Sequence, residues 1–76
     1  MKAYLLIETK PGTSEEVVKA IKGRVKNVLH ADSVYGRHDV IVVLEAPDLE
    51  TLNDFVYKVI EKDPNIVHTE TAITLF

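Results

Sequence analysis

Apolar and polar positions along this chain switch between a period of two and a period near 3.6. Ala3 to Thr9 is rich in β-formers, and both of its faces, Ala3/Leu5/Ile7 and Tyr4/Leu6/Glu8, carry apolar side chains. Such a strand is buried on both sides, or nearly so. Lys10-Pro11-Gly12 ends it with turn residues. A helix is then predicted from Thr13, where Thr13-Ser14-Glu15-Glu16 has the form of a capping box, with Val17, Ala20 and Ile21 as its inward stripe and Val18 beside it. Gly23 is the expected left-handed stop. Val25 to Tyr35 reads as a second strand, and Asp39 to Glu45, with Ile41-Val42-Val43-Leu44, as the third and most apolar. After Ala46-Pro47, Asp48 caps a second helix presenting Leu49, Leu52, Phe55, Val56, Val59 and Ile60 at helical spacing. Lys58 and Lys62 suit its C-terminal end, and Pro64-Asn65 stop it. Val67 to Phe76 is the last strand.

The order is β-α-β-β-α-β. Right-handed crossovers place the first and third strands in the centre of a four-stranded antiparallel sheet, with both helices on one face. The expected fold is the α+β ferredoxin-like plait. Its other sheet face stays uncovered although the central strands are apolar on both sides. A partner sheet is the natural lid, giving a sheet-to-sheet dimer.

Composition narrows the picture. The 76 residues form one domain, 1–76, with no linker or repeat. A chain this short buries only ~60% of its unfolded surface, so a second copy is a common source of added stability. The absence of cysteine excludes disulfides and thiolate chemistry. A net charge of -3 argues against a sequence-independent grip on nucleic acid. The apolar runs fall well short of the roughly 20 residues that span a bilayer, so a cytoplasmic protein is expected.

Chemistry concentrates in Tyr35-Gly36-Arg37-His38-Asp39, between the second and third strands. One reading is a plain hairpin loop, with glycine supplying positive φ and Asp39 capping the turn. The other is a small-ligand cradle in which loop N–H groups meet a carboxylate and Asp39 meets an ammonium; an α-amino acid carries both groups on one carbon. Thr69 and Thr71, two residues apart, share one face of the last strand, where β-propensity alone also explains them. His30/Asp32 and His68/Glu70 repeat the same spacing on the two edge strands. They would meet around a metal only across subunits, so solvated strand faces are the simpler reading, and no metal or cofactor is expected. No nucleophile–base–orienter set is evident.

Taken together, Val34-Tyr35-Gly36-Arg37-His38-Asp39-Val40-Ile41-Val42-Val43, then Asp48-Leu49, Leu52 and Phe55-Val56, then Val67, Thr69, Thr71 and Ile73, resemble the effector-binding (RAM) domain of Lrp/AsnC (feast/famine) regulators across essentially the whole chain. The resemblance implies a β-sandwich dimer, dimers joined in rings, and amino-acid effectors bound between dimers near the hairpin. By position, Gly36 and its neighbouring backbone would meet the effector carboxylate and Asp39 its amino group. Tyr35, Arg37 and His38 would line the pocket, with Thr69 and Thr71 contributing from the last strand. Two departures stand out. No helix-turn-helix precedes the first strand, so a stand-alone version is expected, acting on a full-length regulator rather than on DNA. His38 also stands where the family often has an aromatic residue. The expectation is a non-enzymatic amino-acid sensor. The alternatives are a dimeric α+β-barrel enzyme of the monooxygenase type, using His30, His38 or His68 in a pocket between sheet and helices, and an ACT-type module pairing edge to edge.

Overall fold

A computed structural model describes residues 1–76 apart from the side chains of Ile60 and Glu61, so the expectation that Ile60 extends the second helix's apolar stripe lies outside the described residues. The elements are β1 (Lys2–Thr9), α1 (Ser14–Arg24), β2 (Val28–Ser33), β3 (Val40–Glu45), α2 (Leu49–Lys62) and β4 (Ile66–Ile73). The sheet runs β2-β3-β1-β4 and every neighbouring pair is antiparallel, which is the ferredoxin-like plait.

The two central strands place alternate residues on opposite faces. Ala3, Leu5 and Ile7 of β1 and Val40, Val42 and Leu44 of β3 are each 0% exposed. With Ala31 they form one core with Val17 and Ile21 of α1 and Leu52 and Val59 of α2. Each such leucine, isoleucine or valine contributes ~1.5–3 kcal/mol by leaving water. The space between sheet and helices is therefore filled by side chains. On the other face, Tyr4, Leu6, Ile41 and Val43 stay half-buried. No helix among the described residues is long and apolar enough to cross a membrane.

Element ends differ from expectation where tertiary partners run out. Val25, expected in the second strand, instead ends α1: its N–H donates to the Ile21 carbonyl at 3.0 Å and its side chain plugs the core at 5% exposure. Ladder pairing of β2 starts only at Val28, opposite Leu44, because β3 is about to stop at Pro47. β4 ends at Ile73 rather than Phe76. The Thr74 N–H still reaches the Lys2 carbonyl at 2.9 Å, and beyond that β1 offers no partner.

The two helix starts also diverge. Asp48 caps α2, its Oδ1 accepting the Thr51 N–H at 2.8 Å. The capping box at Thr13 does not form. The Thr13 hydroxyl donates back to the Lys10 carbonyl at 2.7 Å, and the Glu16 carboxylate accepts from the Asn65 side-chain amide at 3.4 Å. Gly23 lies inside α1 and is no left-handed stop; the positive φ of 78° belongs to Gly12, in the turn after β1.

Candidate ligand-binding site

The β2–β3 hairpin is longer than a two-residue turn, and its base is fastened at three points. The Val34 N–H donates to the Asp39 carbonyl at 2.8 Å, closing the loop. The Asp39 N–H donates to the Ile7 carbonyl at 2.9 Å, so the hairpin base is stitched to the end of β1. Asp39 Oδ2 accepts the Thr9 N–H at 2.8 Å, just where the β1–β4 register slips between Glu8 and Thr9. A bulge leaves a backbone group without its ladder partner, and the Asp39 carboxylate supplies one here. Asp39 thus binds across to β1, rather than capping its own turn as the plain-hairpin reading supposed. Its Oδ1 makes no hydrogen bond among the described residues.

The tip is different in kind. Tyr35, Gly36 and Arg37 are exposed, and the Tyr35 side chain stands fully in solvent. Gly36 has a φ of 158°, close to full extension, and nothing lies within 4 Å of where a Cβ would sit. The loop is thus pinned at its base and open at its tip. Two concave regions of the surface, of about 580 and 310 Å3, lie elsewhere and include no residue of the loop.

His38 turns back over the open face of the sheet. Its side chain is 16% exposed and its Nε2 lies 3.8 Å from Glu70 Oε1 on β4. That nitrogen is buried without a hydrogen-bond partner. His68 Nε2 reaches the same Glu70 oxygen at 3.9 Å, so two imidazoles flank one carboxylate. The His38 contact was not foreseen from the sequence, although the strand order contains the signal: the loop is stitched to Ile7, and the preceding residue, Leu6, pairs with Glu70.

Thr69 and Thr71 lie on the opposite face. They pair with Ile7 and Leu5, whose side chains are covered by the helices, and so sit on the helix side of the β4 edge, Thr69 half-buried and Thr71 exposed. Within one chain, the sheet brings the hairpin base and Thr69 to the same end of β1, through Ile7. It does not bring the exposed loop tip and the two threonines into one concavity. His30 and Asp32 lie on the open face at the far edge, β2, as the strand order predicts. Among the described residues, no group of three histidine or acidic side chains is placed to hold a metal ion.

The Thr51 backbone N–H, and then its hydroxyl, hold the Asp48 carboxyl below the usual aspartate range. That residue serves helix α2 and lies away from the loop.

A family model described as the Lrp/AsnC ligand binding domain matches residues 2–75. No curated protein matches the chain. Among solved structures, the hypothetical protein PHS023 from Pyrococcus horikoshii is 33% identical with a TM-score of 0.87, over 99% of this chain and 89% of that one. FFRP-DM1 is 34% identical with a TM-score of 0.86, over 97% of each chain. The transcriptional regulator NMB0573 from Neisseria meningitidis, solved as a complex with L-methionine, has a TM-score of 0.82 at 14% identity. That likeness, which is one of fold, covers 99% of this chain and 49% of the regulator.

Proposed function

Because the chain belongs to the Lrp/AsnC ligand-binding domain family, we propose that it is a non-enzymatic amino-acid sensor that works as an assembly of copies. The observation that carries this reading is the open hairpin: fastened at its base by Asp39, exposed from Tyr35 to Arg37, and outside both of the concave regions described above. In the proposed assembly a facing subunit supplies the missing wall. The loop backbone around Gly36 and the Arg37 guanidinium meet the effector carboxylate, and the free Oδ1 of Asp39 meets its ammonium. Tyr35 and His38 line the pocket, and Thr69 and Thr71 contribute from the β4 edge. The half-buried Tyr4, Leu6, Ile41 and Val43 favour a sheet-to-sheet dimer, with dimers joined in a ring.

The mechanism is linkage. A ligand held across a seam between dimers favours whichever assembly completes the pocket, and the assembly in turn sets effector affinity. A full-length regulator of the same family is the proposed partner, engaged by mixed assembly in the cytoplasm. The filled interior between sheet and helices supports this reading over an enzyme, whose pocket would need that space.

Calorimetric titration against a panel of amino acids, with light scattering in parallel, is the test. At least one amino acid should release heat and shift the assembly; silence across the panel with unchanged scattering sinks the sensor. Asp39→Asn keeps an oxygen for the Thr9 N–H but loses the charge. It should retain fold and assembly while weakening effector binding roughly 10-fold or more, the worth of a charge-assisted hydrogen bond. If it binds as tightly as the wild type, Asp39 is only a fastener of the hairpin.

A further inference from the structure

Charge is unevenly distributed along this acidic chain. Residues 17–31 contain Lys19, Lys22, Arg24 and Lys26 and no carboxylate, whereas the remaining residues carry five cations against twelve carboxylates. Lys19 is engaged by Glu15 at 3.2 Å. Lys22 and Lys26 are exposed and have no ion-pair partner among the described residues.

These two lysines border a trough. Its floor is β2, with His30 and Asp32 at the far end from the lysines, and its wall is the C-terminal end of α1 with Val25, enclosing about 310 Å3. The trough continues past Lys26, Val28 and Leu29 into the larger concavity of about 580 Å3, which Glu45 and Pro47 bound at its far end. β2 is an edge strand that pairs only with β3, so its outward N–H and C=O groups face water. Leu29 sits at the β2 register slip and is 49% exposed, leaving an apolar contact beside the unpaired edge.

We infer that the β2 edge, with Lys22 and Lys26 beside it, is a docking site for an extended acidic segment of a partner protein, which adds a strand to the sheet. A polypeptide strand satisfies the alternating donors and acceptors of the edge, which a phosphate backbone, having no donors for the carbonyls, does not. Every second side chain of the added strand falls on the helix side, where Lys22 and Lys26 stand. Carboxylates at that spacing are attracted there. A second copy of β2, which carries the single carboxylate Asp32, offers the lysines no row of acidic side chains.

The trough shares no residue with the hairpin loop 35–39, so its test is independent of amino-acid binding. The probe is an eight-residue peptide alternating valine with glutamate, capped at both ends, titrated at low salt into isotope-labelled protein. Amide shifts should be confined to β2 and the last turn of α1, and raising the salt should weaken binding. The double substitution Lys22→Glu/Lys26→Glu, on exposed side chains, should weaken binding at least tenfold while circular dichroism is unchanged. A peptide of the same side chains with alternate backbone nitrogens methylated should lose binding, because it keeps the charge but not the donors. No shift with the first peptide overturns the proposal. So does equal binding by a valine–lysine peptide or by the methylated one. Equal occupation of the same residues by a short oligothymidylate also overturns it, marking a general polyanion surface instead.

Discussion

The two faces of the sheet are made from the same two strands and have opposite fates. On the helix side, six residues of β1 and β3 are entirely out of water. On the other side, Tyr4, Leu6, Ile41 and Val43 are only half-buried, ringed by His30, Asp32, His68 and Glu70 on the edge strands. Lys2 also reaches over the Tyr4 ring, its Nζ 5.4 Å from the centroid. The covered face holds the fold together within one chain. The open face, apolar in the middle and polar at the rim, has the layout of an interface rather than of a solvated surface.

That contrast can be broken most forcefully from the covered side. Leu5→Ala removes a fully buried side chain at the centre of the core and should cost about 2–5 kcal/mol, a large part of the stability of a small domain. Urea denaturation should show the midpoint falling steeply; a small change would mean the core is not organised around β1. Leu6→Asp, one residue along and on the other face, should behave differently. Circular dichroism should stay native, while sedimentation should shift the protein towards monomer. Loss of fold instead of loss of assembly would assign the open face to stability within the chain.

The smallest lever is the cap of the helix that covers one half of the core. The folded state holds the Asp48 carboxyl below its unfolded value, so the cap contributes fully above the ordinary aspartate range. Its contribution fades as the pH falls through the lowered folded value. Asp48→Ala should therefore lower Tm at neutral pH, and the gap between variant and wild type should close in acid. A gap that stays constant with pH would mean that the charge of Asp48 plays no part.

The caps also show why local pattern is an incomplete guide. Asp48 and Thr13 both carry the local signature of a helix start, and only Asp48 acts on it. Around Asp48 no competing partner intervenes, so the carboxylate takes the nearest free N–H. At Thr13, the β1–α1 turn claims the hydroxyl through Lys10, and Asn65, far along the chain, claims Glu16. The same competition set the strand ends. Val25 had strand propensity but went to the core as the end of α1, and Leu75-Phe76 had it but met no neighbouring strand.

The order of six elements, the two-faced character of β1 and β3, the Asp48 cap and the hairpin between β2 and β3 were all determined by the sequence. Each depends on periodicity or on contacts a few residues apart, and such information is local. The partners of the candidate site were decided by tertiary structure. Sheet order laid His38 against Glu70, gave the Asp39 carboxylate to the Thr9 N–H, and turned Thr69 and Thr71 to the helix side of β4. These are contacts between residues 30 to 66 positions apart, and a one-residue change in register would have reversed the strand-face placements, because alternate residues of a strand face opposite sides.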